Sequence, residues 1–208
     1  MNLQIKHAIS GKPLFECELP AEIAKQEYSL RLGTAVKKAI KAGVDITGAY
    51  LDGVNLVGAK LPNVNLAGTR MAGANLTGAN FPWANLAGAY LGDANLTGTD
   101  LSNVDLTDTD LTRAKLLGTR LTGARFKNTR WRNGITINRH PLEIFGLDYP
   151  VTILEQHMEI GCEIHKLTDW WDFSDRRIIE MDGTCAAKFW NKYKDTLLTL
   201  VTANGRHL

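Results

Sequence analysis

Between residues 44 and 133 a large apolar side chain returns at every fifth position, from Ile46, Leu51 and Leu56 through to Leu121, Phe126 and Trp131, eighteen times in succession. Two residues before each stands a small or β-branched residue, as in Val44, Ala49, Val54 and Ala59. Two residues after stands Gly in ten cases and Asn or Asp in most of the others. A five-residue step in an α-helix turns the side chain by about 500°, which would scatter these residues around the whole circumference. In a flat strand an odd step sends alternate side chains to opposite surfaces. The pattern therefore predicts a chain that turns once per unit. The small and large residues point inward, and Gly, Asn or Asp forms the corner, where a positive φ costs least. Stacked turns of this kind make a solenoid.

The flanks follow other periods. In residues 1–43, Leu3, Ile5, His7 and Ile9 alternate with polar residues, Ser10-Gly11-Lys12 reads as a turn, and Phe15, Cys17 and Leu19 alternate again, which predicts a hairpin. From Ser29 the apolar positions Leu32, Ala35, Val36, Ala39 and Ile40 share a helical face and Gly43 ends it, giving a helix suited to cover the first open coil. Residues 134–208 lose the five-residue period. Ile135, Ile137, Ile144, Leu147, Val151, Ile153, Met158 and Ile160 predict short strands broken by Pro141, Gly146 and Pro150. Ser174 is placed to cap a short helix from Asp175 to Met181, and Thr184 a longer one carrying Phe189, Trp190, Tyr193, Leu197, Leu198 and Val201 on one face before Gly205. Four of the five tryptophans fall after residue 130, giving this end an aromatic core of its own.

Runs such as Ala74-Asn75-Leu76-Thr77-Gly78 and Ala94-Asn95-Leu96-Thr97-Gly98 resemble the pentapeptide-repeat proteins, whose A(D/N)LXX units wind into a right-handed quadrilateral β-helix. The resemblance implies a mainly β fold with square coils of twenty residues, so that the eighteen units make four and a half coils. The expected organisation is an N-terminal hairpin and capping helix (1–43), the pentapeptide-repeat solenoid (44–133) and a small C-terminal α+β domain (134–208). That order of parts resembles pentapeptide-repeat proteins encoded by phages and prophages.

Twenty residues per coil sorts the outward side chains into columns. One column holds Asn55, Asn75, Asn95 and Lys115. Another holds Tyr50, Arg70, Tyr90, Asp110 and Arg130, which places a guanidinium between two phenol rings. Trp83, following Pro82, occupies a corner usually held by Gly. Tyr50, Arg70, Trp83 and Tyr90 form a candidate aromatic binding surface, since aromatics are enriched among interface hot spots; a stacked column that only stiffens one face is the competing reading.

The chain has 208 residues and a formal net charge of +2, too balanced to announce a nucleic-acid or membrane partner. No long apolar run opens the chain, so neither a secretion signal nor a membrane span is expected. Three cysteines, Cys17, Cys162 and Cys185, leave one without a mate, which points to a reducing compartment and a cytoplasmic location. Charge is unevenly placed within the repeats. Asp93, Asp100, Asp105, Asp108 and Asp110 form one band, and Arg113, Lys115, Arg120, Arg125, Lys127, Arg130 and Arg132 form the next. This basic collar is a candidate seat for an anionic partner, whether a phosphate-bearing ligand or the acidic segment that includes Asp169, Asp172, Asp175, Glu180 and Asp182. The alternative is a solvated surface offset by the neighbouring aspartates.

Candidate chemistry is sparse. Cys162-Glu163-Ile164-His165 sets a thiol and an imidazole three apart, the beginning of a zinc site or of a Cys-His pair. A zinc site needs further ligands, and no second close pair is visible, so the competing reading is a small buried thiol after a strand and a surface or capping histidine. No GxGxxG, Walker loop or GxSxG element occurs. The sequence therefore predicts no enzyme, no cofactor and no metal. Its leading functional reading is a non-catalytic interaction module with a protein partner, a phage or prophage protein engaging a host or defence component; a homo-oligomer is compatible with it. A second is a nucleotide or other anionic small-ligand binder, with its pocket between the collar and the C-terminal domain. A third follows from family members that mimic DNA and act on DNA gyrase. Charge disfavours it, because a mimic needs a strongly acidic surface and residues 44–133 hold nine basic against seven acidic residues.

Overall fold

The computed structural model describes residues 1–132, 134–144 and 146–206. Asn133, at which the repeat segment is expected to end, lies outside the described residues, as do 207–208 at the end of the expected C-terminal domain. The chain divides into two compact units, Met1–Asn138 and a second from Arg139 onward.

The first unit opens with the hairpin β1 (Asn2–Lys6) and β2 (Pro13–Glu18), antiparallel with Leu3 opposite Cys17 and Ile5 opposite Phe15. A one-turn helix α1 (Ala21–Ala24), absent from the sequence reading, leads into α2 (Tyr28–Lys41). Leu32, Ala35, Val36 and Ala39 are buried on α2 as predicted, Gly33 is buried with them, and Ile40 is half-buried; Gly43 follows at φ +70°. Hairpin and helix both lie against the first coil. The Tyr50 amide donates to the Lys6 carbonyl at 2.7 Å, and the Asn55 amide donates to the Ser29 carbonyl at 3.1 Å. Gly33 makes the close approach of α2 possible, because a Cβ there would stand 2.0 Å from the Asn55 carbonyl oxygen.

In the repeats, parallel bridges join each outward residue to the one twenty positions on: Tyr50 to Arg70, Asn55 to Asn75, Lys60 to Asn80, Asn65 to Asn85, and so on to Asp110 with Arg130. Four columns at a twenty-residue spacing mean four units per coil. Of the eighteen large apolar positions, every one except Leu61 is buried. Transferring each such side chain out of water is worth about 1.5–3 kcal/mol, so the inward column supplies the main stabilisation of the coils. Corner residues take positive φ as predicted, including non-glycines such as Asn63, Asp93, Asn103 and Asp108; Trp83 at +63° and Arg113 at +58° are the corners where a large side chain accepts that conformation.

Buried threonines at the small position add a second set of bonds between coils. The hydroxyls of Thr99, Thr109 and Thr129 donate to the carbonyls of Leu76, Leu86 and Leu106, each twenty-three residues earlier, at 2.7–2.8 Å. The unit ends in a two-residue pairing of β3 (Thr129–Arg130) with β4 (Thr136–Ile137).

The second unit is α+β. Its sheet is an antiparallel meander of β5 (Leu142–Ile144), β6 (Val151–Ile153), β7 (His157–Ile160) and β8 (Glu163–Lys166), adjacent in chain order. Helices α3 (Leu167–Asp172) and α4 (Asp175–Ala203) complete it. The Ser174 hydroxyl accepts the Arg177 amide at 3.3 Å, and α4 breaks at Asp182 and Gly183, so the two predicted helical stretches are present. Strand β8 and helix α3 are not predicted from sequence. Leu167 and Trp170 of α3 join Val151, Ile153 and Met158 of the sheet and Phe189, Trp190, Leu197 and Val201 of α4 in one buried cluster.

Candidate functional site

The outward surface of the repeats is set by the residue before each large apolar one. Where it is Asn or Asp, its side-chain oxygen accepts the amide two residues on: Asn75 from Thr77 at 3.2 Å, Asn85 from Ala87 at 3.0 Å, Asp100 from Ser102 at 3.0 Å, Asp110 from Thr112 at 2.8 Å. These local bonds tie the corner to the face and account for the Asn and Asp of the repeat. They leave the rest of each outward face available for display.

The column Tyr50, Arg70, Tyr90 forms as predicted. The Arg70 guanidinium carbon lies 5.6 Å from the centre of the Tyr50 ring and 5.5 Å from that of Tyr90, within cation–π range. Asp52 holds the guanidinium from the side, accepting from Nη2 at 3.0 Å, and its other oxygen accepts the Ala72 amide at 2.8 Å. This hydrogen bond, with the charge of Asp52, raises the Arg70 pKa further above its usual range. Tyr50 and Tyr90 remain 46% and 38% exposed, so the stack is a surface feature with both phenol rings within reach of a partner. Trp83 is 64% exposed at a corner. In chain order the face carrying Asn85 lies between that corner and Tyr90, so the structure separates Trp83 from the other three residues of the predicted aromatic surface.

The basic collar meets the acidic band coil on coil. Arg113 pairs with Asp93 at 2.6 Å, Arg120 with Asp100 at 3.0 Å, Arg125 with Asp105 at 3.4 Å and Arg130 with Asp110 at 3.3 Å. Each partner stands twenty residues earlier, directly beneath in the column. The hydrogen bond from Arg113 lowers the Asp93 pKa, and the Ser102 hydroxyl, with Arg120 behind it, lowers that of Asp100. Lys115 and Lys127 are exposed and have no ion-pair partner among the described residues, and the Arg132 guanidinium carbon lies 6.0 Å from the Trp131 ring centre. Four of the seven clustered cations thus join a belt of alternating charge, with the two lysines outside it and Arg132 over Trp131. Sequence reasoning weighed neighbouring aspartates in general; subtracting twenty from 113, 120, 125 and 130 identifies the individual partners.

Cys162 corrects an expectation. It is not a buried thiol after a strand but an exposed residue in the two-residue turn Gly161-Cys162 between β7 and β8, where Gly161 supplies φ +62°. His165 lies on β8 with its ring edge-on to Trp170 at 5.4 Å and Phe173 at 5.0 Å, and its Nε2 lies 3.2 Å from a Glu163 oxygen. The imidazole is engaged by a carboxylate and two rings. Among the described residues no group of three or more His, Cys, Asp or Glu side chains could hold a metal ion. No helix among the described residues is long and apolar enough to cross a membrane.

Comparison with known proteins bears on the repeat segment. The family model of pentapeptide repeats matches residues 42–78, 55–93 and 89–128. A solved pentapeptide repeat protein from Nostoc PCC 7120 is 28% identical, with 51% of this chain and 87% of that chain covered and a TM-score of 0.41. Another from the cyanobacterium Cyanothece 51142 is 37% identical, with 39% and 53% covered and a TM-score of 0.29. QnrB1, a plasmid-mediated fluoroquinolone resistance protein, is 19% identical, with 42% and 55% covered and a TM-score of 0.32. No curated protein matches the chain. Five-residue periodicity, bridges twenty residues apart and the family match over the same stretch agree: residues 42–128 match the pentapeptide repeats.

Proposed function

We propose that this chain is a non-catalytic interaction module that engages a protein partner through the repeat face bearing Tyr50, Arg70 and Tyr90. The observation that carries the reading is the geometry of that column. Two exposed phenol rings flank one guanidinium, itself fixed by Asp52, on a backbone hydrogen-bonded from coil to coil. Preset aromatic side chains give a partner contact area at little entropic cost, which is the usual make-up of an interface hot spot. The pairing of Arg113, Arg120, Arg125 and Arg130 with aspartates weighs against the collar as the seat of a free anion, and the same alternation offers no continuous acidic face of the sort DNA mimicry needs.

The partner's setting follows more loosely. The order hairpin, helix, repeats and α+β tail favours a phage or prophage protein directed at a host or defence component, and three free cysteines, two of them exposed, favour a reducing cytoplasm. The test is affinity capture from a bacterial lysate with the wild-type chain and with Tyr50→Ala/Tyr90→Ala, read by mass spectrometry. A protein retained by the wild type and lost with the double variant is the expected result. Identical recovery by both chains overturns the assignment of the face.

A further inference from the structure

The first unit holds an open cleft of about 350 Å³ between its hairpin, α2 and the first coil, within the size range of small-ligand sites. Gln4 and Lys6 reach it from the exposed side of β1, where they alternate with the buried Leu3 and Ile5. His7 comes from the hairpin turn, Tyr28 from the start of α2 and Tyr50 from the first coil. No Asp or Glu among the described residues lines it.

Three of these side chains are held in place. His7 Nδ1 accepts the amides of Ile9 at 3.3 Å and Ser10 at 3.2 Å, which leaves its proton on Nε2. Each tyrosine carries a guanidinium on its ring, Arg31 at 5.7 Å from the Tyr28 centre and Arg70 at 5.6 Å from that of Tyr50, while the rings stay 52% and 46% exposed. Lys6 differs. Its carbonyl accepts the Tyr50 amide at 2.7 Å, fixing its backbone beside the coil, but its ammonium has no partner among the described residues. Arg31 has no carboxylate either; its Nη1 donates to the Met1 sulfur at 3.0 Å. The acids of this region are engaged elsewhere, Asp52 by Arg70 and Glu16 by the side-chain amides of Asn2 at 3.1 Å and Gln4 at 2.9 Å. Positive charge is therefore in excess at the cleft, with Lys6 in its wall and Arg31 behind Tyr28.

Each class of ligand meets this combination differently. A cation is repelled by Lys6 and finds both rings already holding a guanidinium. A neutral flat ring stacks on tyrosine but leaves the lysine unanswered. A small inorganic anion answers the lysine and makes no use of the rings. A carboxylate is matched best by the planar fork of an arginine, and the fork of Arg70 is taken by Asp52; a lysine is a point charge of the kind that binds phosphate. A flat base bearing a phosphate satisfies both halves, since base stacking on an aromatic side chain and a charge-assisted bond to lysine act together. We propose that the cleft binds a phosphate monoester of a flat ring, in the class of the nucleoside monophosphates, with its base on the exposed tyrosine rings and its phosphate on Lys6.

The test titrates AMP, adenosine and inorganic phosphate separately into the full chain at low ionic strength, read by isothermal titration calorimetry. The expected result is saturable binding of AMP, tighter by about tenfold or more than adenosine or phosphate alone and weakened by added salt. Lys6→Met, at an exposed position, should bring AMP down to the affinity of adenosine, and Tyr28→Ala should weaken both nucleosides by about tenfold. Circular dichroism confirms the fold of each variant. Absence of AMP binding, equal affinity for AMP and either of the other probes, or a folded Lys6→Met or Tyr28→Ala chain that binds AMP as the wild type does would each overturn the proposal. The three probes on the wild-type chain decide the matter even where a variant fails to fold. Lys6 and Tyr28 stand outside the trio Tyr50, Arg70 and Tyr90, so the outcome is separate from that of the capture experiment.

Discussion

The repeat coils and the C-terminal unit solve the same problem, burying apolar side chains, by opposite means. In the coils one arrangement recurs: the same inward column, the same corner and the same bridge to the residue twenty positions on, so each coil depends on its immediate neighbours. In the C-terminal unit no arrangement recurs. Trp170 donates its indole N–H to the Met158 carbonyl at 2.7 Å and packs against Trp190, which also meets Trp171, and Phe189 meets both Tyr149 and Tyr193. Repetition keeps the interior uniform and frees the exterior, which suits display of a surface. Unique aromatic packing produces an interior in which each ring has partners of its own.

That contrast can be broken most forcefully at Leu86, which is 1% exposed in the middle of the inward column. Leu86→Asp sets a charge where no partner reaches it and should cost more than about 4 kcal/mol, abolishing the coils' β signal in circular dichroism. A soluble variant with a cooperative transition for the coils would refute the inward orientation. Trp190→Ala, in the other unit, should cost about 3–5 kcal/mol and lower the thermal transition of that unit in calorimetry, leaving the coils' transition in place. Gly33→Ala should cost about 1–3 kcal/mol by forcing α2 away from the first coil, with the Asn55 amide losing protection in hydrogen exchange first.

Smaller effects sharpen the comparison. Thr109→Val removes one hydroxyl bond between coils and should cost about 1 kcal/mol, because the Leu86 carbonyl keeps the Ala89 amide as a donor at 2.9 Å. The least is expected from acid. The Asp100 carboxyl, bonded by Ser102 and Arg120, has its pKa lowered by folding, so its contribution to stability is complete above about pH 4 and fades as pH falls through the lowered value. Asp100→Asn should flatten the decline of melting temperature below that pH by a small amount, as expected for a pair whose arginine side chain is 68% exposed.

The coils were almost wholly legible in the sequence because a period of five admits few geometries and every unit repeats the same instruction. The Tyr50, Arg70, Tyr90 stack followed from counting in twenties, and the ion pairs of the collar follow from the same count. The C-terminal helices were legible where a capping residue marked them, at Ser174 and Thr184. Strand β8 was not, since Glu163-Ile164-His165-Lys166 is short and mostly polar and reads as well for a ligand cluster as for a strand. Helix α3, six residues with Trp170 and Trp171 side by side, has too few turns to show a period.

The register of twenty residues between stacked side chains also governs how such a chain can change in length. Gaining or losing four units together would extend or shorten the column and keep Arg113, Arg120, Arg125 and Arg130 on the sides that carry their aspartates. Gaining a single unit between residues 110 and 111 would turn everything downstream by a quarter revolution, moving each of these arginines to a different side from the aspartate it now meets.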